Sequence, residues 1–400
     1  MSDAYIFDVV RTGRGKARPG GGLAHRTPLS LVTDLLGHLG RRHRLTAAAL
    51  EDVLLGVSTQ TGAQGGDLAR TAAILAGWDS VPGMTLNRFC ASGVDAITTA
   101  AAHARSGASG LFVAGGVESI SHTPVYSDGA PLFTDPDIMR EAGSVAMGVA
   151  ADLIATIEGF DRAELDAYGL RSQRRAADAW RAGRFARDLV PVAGPDDRPF
   201  AADEAIRPET TAQSLARLPP AFAEPGASGQ DDLVRRRHPE IAEIAHLHTA
   251  GTSPALVDAA ALALIGTAEA GAERAMEPRA RIVSAAAAAV DPVVMLTAGQ
   301  KATEVALRRA GLGPDDIAVF EVAEAFAATC LKFQRDLKID DDRFNPNGGT
   351  IAMGHAFAAT GPILAANCIG ELERRGLRYG VVAVSGAAGL GSAAVLERVA

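Results

Sequence analysis

Three observations predict a duplicated α/β protein. Short β-branched runs alternate with longer Ala/Leu-rich amphipathic segments at both ends of the chain, the two ends align on each other at a nearly constant offset, and the 400 residues are 48% hydrophobic and 22% charged, enough for a large core. Strands are expected at 5–10, 53–57, 84–87 and 111–114 in the first third, and at 281–284, 317–322, 350–353, 381–384 and 393–396 in the last. Glu51-Asp52-Val53-Leu54-Leu55 aligns with Asp315-Asp316-Ile317-Ala318-Val319 at an offset of 264 residues, and Cys90 aligns with His355 at 265. The next strand, 112–116, aligns with 383–387 at 271, the growth reflecting a longer helix-to-strand turn in the second copy. Such a register points to two α/β halves related by pseudo-symmetry. Between them the composition changes: one amphipathic helix over 161–182 is followed by Pro-, Asp- and Gly-rich loops from 195–199 to 225–229. The expected organisation is a first half at 1–118, an insertion at 119–249 and a second half at 250–400.

Composition narrows the function. Lys and Arg number 39 against 47 Asp and Glu, a net charge of −8, so no general electrostatic attraction draws the chain to nucleic acid or anionic membrane. Any anionic substrate must be met by local charge or by backbone dipoles. The three cysteines, Cys90, Cys330 and Cys368, are far apart and lack C-x-x-C spacing, so neither a disulfide framework nor a metal site is expected, and a cytoplasmic setting fits. No apolar run suggests a secretory signal or a membrane span. Gly13-Arg14-Gly15-Lys16 follows a strand but lacks the third glycine of a dinucleotide fingerprint and the spacing of a P-loop. Arg235-Arg236-Arg237-His238 is the one dense basic cluster, readable as a solvated helix end or as a contact to a substrate phosphate.

Three segments could carry chemistry. In Asn87-Arg88-Phe89-Cys90-Ala91-Ser92-Gly93 a strand ends and an Ala-rich helix follows to about Arg105, placing Cys90 at a helix N-terminus where unpaired N–H groups favour thiolate. A buried structural cysteine is the alternative. In Asn345-Pro346-Asn347-Gly348-Gly349-Thr350-Ile351-Ala352-Met353-Gly354-His355 an imidazole occupies the pseudo-symmetric mate of Cys90, where it could accept the thiol proton. In Ser385-Gly386-Ala387-Ala388-Gly389-Leu390-Gly391 a buried strand breaks into a small-residue turn whose N–H groups, at Gly386 and Ala387, suit an oxyanion; a hairpin packed by small residues explains the same pattern.

These segments, with Gly115-Gly116-Val117-Glu118-Ser119 and Glu324-Ala325-Phe326-Ala327, resemble the thiolase family of acetyl-CoA acyltransferases over essentially the full chain, and the length of the insertion is similar to that of the fatty-acid oxidation branch. The resemblance implies a layered α-β-α-β-α fold with an inserted loop domain over the coenzyme A site. It implies an acyl-enzyme on Cys90 formed from acyl-CoA or 3-oxoacyl-CoA, His355 activating the thiol, and coenzyme A as substrate or product with no tightly bound cofactor. A homodimer or homotetramer, paired through the edge of the first sheet, is implied as well. The chain departs from the family pattern at two places: Ser385 stands where a second, acid/base cysteine is usual, and Ala323 where an Asn or His is usual. A positioned acid/base contributes about 10²–10⁴ in rate, so these departures bear on carbon–carbon chemistry rather than on acylation. Thr249-Ala250-Gly251-Thr252-Ser253-Pro254 matches a coenzyme-contacting segment, with Ser253 the candidate contact. Two alternatives stand beside the leading expectation: hydrolysis or transfer to a non-carbon acceptor, and a degenerate thiolase-like binding protein.

Overall fold

The computed structural model describes residues 2–399. The first half runs β1 (Tyr5–Arg11), β2 (Gly15–Lys16), α1 (Pro28–His43), β3 (Leu50–Gly56), α2 (Leu68–Leu75), β4 (Gly83–Leu86), α3 (Ser92–Arg105) and β5 (Leu111–Glu118). The insertion carries α4 (Pro131–Thr134), α5 (Pro136–Ala142), α6 (Met147–Glu158), α7 (Arg162–Arg181), a small hairpin of β6 (Val192–Ala193) and β7 (Pro199–Phe200), then α8 (Ala212–Ala216), α9 (Ala223–Pro225) and α10 (Asp231–Arg237). The chain returns through β8 (Val257–Gly266), α11 (Ala268–Ala272), β9 (Ala280–Ala289), α12 (Ala298–Ala310), β10 (Val319–Val322), α13 (Ala327–Asp336), α14 (Thr350–Met353), α15 (Phe357–Arg375), β11 (Tyr379–Ser385) and β12 (Leu390–Arg398).

The main strands follow the order β10-β11-β12-β9-β1-β8-β5-β3-β4. Read outward from the centre, β1-β8-β5-β3 mirrors β9-β12-β11-β10, the pseudo-symmetry expected of a duplication. Within the sheet the two halves are joined by two residue pairs among the described residues, Tyr5 with Arg281 and Ile6 with Ala280, and the sheet folds over at that seam. Helices α3 and α15 fill the space between the two sheet halves: Ile97 and Ala100 join Leu54 and Phe112 of one side, and Leu364 and Ile369 join Val382 of the other, in a single core. On the outer face of the first half, Leu35, Leu36 and Ala72 of α1 and α2 cover Val53 and Val113. On the second, Ala302, Ala306 and Phe333 of α12 and α13 cover Phe320 and Val395. The result is the layered α-β-α-β-α arrangement.

The central helices approach closely because glycine lines their contact. A Cβ on Gly93 would lie 2.1 Å from Ala358 O, and one on Gly361 would lie 2.5 Å from Val94 Cγ2, distances no side chain tolerates. Helix α7 is bounded as its sequence predicts: Asp161 accepts from Glu164 N at 2.8 Å while Glu164 Oε2 accepts from Asp161 N at 2.8 Å, a capping box.

Two expectations are corrected. Strand β8, whose ten residues are all buried, was absent from the sequence assignment; it lies between β1 and β5 in the sheet. A boundary at 250 therefore cuts off a strand that completes the first half, and the sheet divides instead in the segment between β8 and β9. Residues 350–353 form a helical turn rather than a strand. Glu324 Oε2 accepts from Ile351 N at 3.0 Å, a carboxylate at a helix start that the turn favours and an extended strand would not present. No helix among the described residues is long and apolar enough to cross a membrane.

Candidate functional site

Cys90 and His355 each sit two residues before the first residue of a central helix, α3 and α15 respectively. Because those helices pack side by side, the pseudo-symmetry brings the two side chains to one cavity of about 410 Å³, which Ser385 and Ser253 also line. The turn bearing Cys90 is held by short-range hydrogen bonds. Phe89 N donates to Asn87 Oδ1 at 2.7 Å, Arg88 N donates to Ser92 Oγ at 2.7 Å, and Ser92 Oγ donates to Phe89 O at 2.6 Å. Farther out, Arg88 Nη1 and Ser392 Oγ both donate to Asp95 Oδ1, at 2.7 and 2.8 Å, tying α3 to β12.

The helix terminus does not make Cys90 a resting thiolate, contrary to expectation. Burial pushes the thiol up to about 12, and the neighbouring Glu118 carboxylate adds to the shift. Desolvation of a nearly fully buried sulfur outweighs the partial charges of the N-terminal amides. His355 moves the opposite way, down to about 4, from burial and then from the Arg14 cation. The resting pair is thus neutral thiol and neutral imidazole. His355 Nδ1 is hydrogen-bonded to Thr360 Oγ1 at 2.8 Å, leaving Nε2 as the nitrogen available to accept a proton. Its backbone is fixed by His355 N donating to Ala255 O at 2.9 Å, and Arg14 Nη1 braces the turn from behind by donating to Gly354 O at 3.2 Å.

Glu118 is the junction between these parts. Its Oε1 accepts from Thr59 N at 3.2 Å and Gln64 Nε2 at 2.7 Å, and its Oε2 accepts from Ser58 N at 3.0 Å and Ala358 N at 3.4 Å. Burial pushes the carboxyl up to about 7 against those four donors. Glu118→Gln must turn an NH₂ toward one pair of them. The expected loss is about 1–3 kcal/mol of stability, the cost of buried groups left unpaired, measured as a lower urea midpoint at unchanged slope.

Ser385 borders the cavity, yet its hydroxyl is engaged in structure. Oγ donates to Leu296 O at 2.6 Å and accepts from Gly299 N at 2.9 Å at the start of α12. Its single proton points at a carbonyl, which is a poor arrangement for an acid or base working in the cavity. The turn beyond separates the two expected donors. Gly386 N donates to Leu390 O at 2.7 Å, so Gly386 is not free to bind an oxyanion. Ala387 N and Cys90 N have no acceptor among the described residues. A Cβ on Gly386 would lie 3.5 Å from Cys90 N, which places this turn directly against the turn that bears Cys90 and explains the need for a small residue there.

Ser253 Oγ is buried without a hydrogen-bond partner on the same cavity wall. Ala323 is buried beside the cavity-lining Ala325, its N donating to Ala383 O at 2.9 Å, and its methyl offers no donor. The basic cluster lies elsewhere: Arg237 pairs with Asp291 at 3.3 Å and His238 with Glu240 at 3.1 Å, and neither lines the cavity, as a solvated helix end would behave. Sequence reasoning missed Met147 and Phe222, which roof the cavity from the insertion. They sit in no motif, and no local signal marks them.

The family profile described as thiolase, N-terminal domain, matches residues 4–230, and that described as thiolase, C-terminal domain, matches 276–398. The 3-ketoacyl-CoA thiolase FadA of Escherichia coli (strain K12) is 36% identical over 410 aligned positions covering all of both chains, and the 3-ketoacyl-CoA thiolase of Klebsiella pneumoniae is 35% identical over the same span. The crystal structure of the Bacillus anthracis acetyl-CoA acetyltransferase is similar with a TM-score of 0.86 at 30% identity, covering 100% of this chain and 99% of that one. Family profiles, full-length sequence similarity and shared fold agree: the chain belongs to the thiolase family and is an acyltransferase of the thiolase type.

Proposed function

We propose that Cys90 is the acyl acceptor and His355 its base. As the Cys90 sulfur attacks the thioester carbonyl, its proton passes to His355 Nε2. The new carbon–sulfur bond forms, the bond to coenzyme A breaks, and the departing thiolate takes the proton back. The carbonyl oxygen is held meanwhile by the N–H groups of Cys90 and Ala387. Ser253 contributes its unpartnered hydroxyl to the coenzyme side of the cavity. The single observation that carries this reading is the convergence of Cys90 and His355 at one cavity, with the unpartnered N–H of Ala387 bordering the adjoining cavity that Cys90 also lines. The acyl-enzyme is then resolved by coenzyme A or by acetyl-CoA, with 3-oxoacyl-CoA as the substrate of the reverse direction. The same proposal takes the protein as cytoplasmic and as a homodimer or homotetramer. In support, β4 is the outermost strand of its sheet and Met84 on it is exposed, and an uncovered edge is what a second copy would pair with.

A second outcome for the acyl-enzyme, transfer to water or another non-carbon acceptor, is favoured by one observation: the Ser385 hydroxyl is engaged with Leu296 O. Products decide between them. Incubation with 3-oxoacyl-CoA and coenzyme A should yield acetyl-CoA; release of free acid alone would assign hydrolysis, and absence of any acyl mass on the protein would remove the reading. The protonation states give a further expected result. With His355 held down to about 4, the base stays unprotonated through the range where a free imidazole would titrate, so the acylation rate should fall on the acid side near pH 4 and not near 6.5. Since Cys90 is pushed up to about 12, no alkaline rise should occur below about pH 10. Stopped-flow release of coenzyme A across pH 4–10 checks both limbs.

A further inference from the structure

Two cavities meet at Cys90. The broad one of about 410 Å³ contains His355, Ser385 and Ser253. The other, about 60 Å³, is bounded by Thr59, Phe89, Phe133 and Ala387, none of which borders the first, and neither His355 nor Ser385 reaches it. Tyr126, Met147 and Phe357 form the wall they share. Resting on the proposed acylation of Cys90, the geometry divides the thioester between them. The carbonyl oxygen lies at the N–H groups of Cys90 and Ala387, the attacking and leaving thiols use the side that holds the imidazole, and the acyl tail is left the small cavity beside Ala387.

That cavity ends in aromatic rings. Phe133 packs edge-on against Phe89 with centroids 5.8 Å apart and, tilted by 38°, against Tyr126 at 4.6 Å. Tyr126 and Phe133 also border a second, smaller space of about 10 Å³ lined by Leu132, Val145 and Met295, so the rings stand between two spaces. The rings are held at a conformational cost: Phe89, Tyr126 and Phe357 adopt φ of 48°, 67° and 27°, left-handed backbone that L-residues with side chains avoid and that clusters at functional sites. Phe133 itself rides on α4, which has no buried residue. For scale, an apolar cavity of about 150 Å³ accommodates benzene; one of 60 Å³ holds a few methylene groups.

We propose that Tyr126 and Phe133 form an aromatic barrier that sets the acyl-chain length of this enzyme, admitting straight acyl groups of about two to four carbons and excluding longer ones. Up to the barrier, each methylene buried raises kcat/KM about fourfold; beyond it the gain stops and turns to loss. The test is the rate of Cys90 acylation, by intact mass and coenzyme A release, with saturated acyl-CoAs from acetyl to decanoyl. Wild type should peak near butyryl and fall at least about tenfold by octanoyl, and Phe133→Ala should raise the octanoyl-to-acetyl ratio at least about tenfold. Tyr126→Ala, at a half-exposed position that tolerates truncation, should move the ratio in the same direction, and Phe133→Leu should fall between. Equal acylation of wild type by acetyl and decanoyl groups would overturn the barrier while leaving Cys90 as acceptor, as would an unchanged ratio in variants with wild-type circular dichroism and melting. No adduct at any length would remove the acyl-enzyme and the barrier together.

Discussion

Cys90→Ala is expected to abolish the acyl adduct at every chain length and to lower kcat/KM by at least about 10⁴, the scale on which a covalent nucleophile acts together with its base. Acylation requires one sulfur to form the bond to carbon, and Cys330 and Cys368, both buried and outside the cavity, cannot replace it. The variant should remain folded. Cys90 is 3% exposed in a core of small residues, and removing one sulfur from such a site costs about 1 kcal/mol. Thermal melting therefore separates loss of chemistry from loss of structure. Retention of an adduct on the folded variant would move the nucleophile elsewhere.

Ser385→Cys is expected to act in the opposite direction, raising carbon–carbon bond formation and cleavage by about 10²–10⁴. The substituted sulfur would occupy the place of Oγ, with Gly299 N at the start of the 13-residue helix α12. An N–H donor and a helix N-terminus both favour the anionic form, so the new thiol would start from a better position than the hydroxyl to take a proton from the α-carbon of acetyl-CoA. The exchange weakens the bond to Leu296 O, since S–H is a poor donor, and should cost about 1 kcal/mol of stability. Exchange of the acetyl-CoA α-protons with deuterated solvent reads the proton transfer alone, and consumption of 3-oxoacyl-CoA reads the complete reaction. Ala323→Asn, which restores an amide beside the cavity, should add to the gain. If Cys90 acylation persists while proton exchange stays at the wild-type level in the double variant, the missing thiol does not limit this enzyme, and transfer to a non-carbon acceptor is its chemistry.

Much of the site was legible because its signals are local. The strand-to-helix junctions at Cys90 and His355 announce themselves through glycine placement and the alternation of apolar runs, and the 265-residue offset between them identifies the two as mates before any distance is known. The start of α7 was equally readable, since its capping box is decided by Asp161 and Glu164 alone. Strand β8 escaped notice for the opposite reason. Its all-buried run Val257–Gly266 shows no alternation, and its place in the first half depends on β1 and β5, which precede it by well over a hundred residues. The 350–353 turn was misassigned because the pseudo-symmetric mate is a strand, while the carboxylate that starts the helix, Glu324, arrives from a different loop.

The sequence by itself determined the duplication, the placement of a thiol and an imidazole at equivalent junctions of its two copies, and a hydroxyl rather than a thiol at Ser385, because each is written in residue identity and in the register of the repeat. Only the tertiary structure decided that burial keeps the thiol and imidazole neutral, that the Ser385 hydroxyl is held by Leu296 and Gly299, and that Ala387 N rather than Gly386 N lacks an acceptor among the described residues. These follow from desolvation and hydrogen-bond competition among groups distant in sequence, as when Glu118 receives Ser58, Gln64 and Ala358 at once. Such terms depend on what folding removes from water, which no local pattern records.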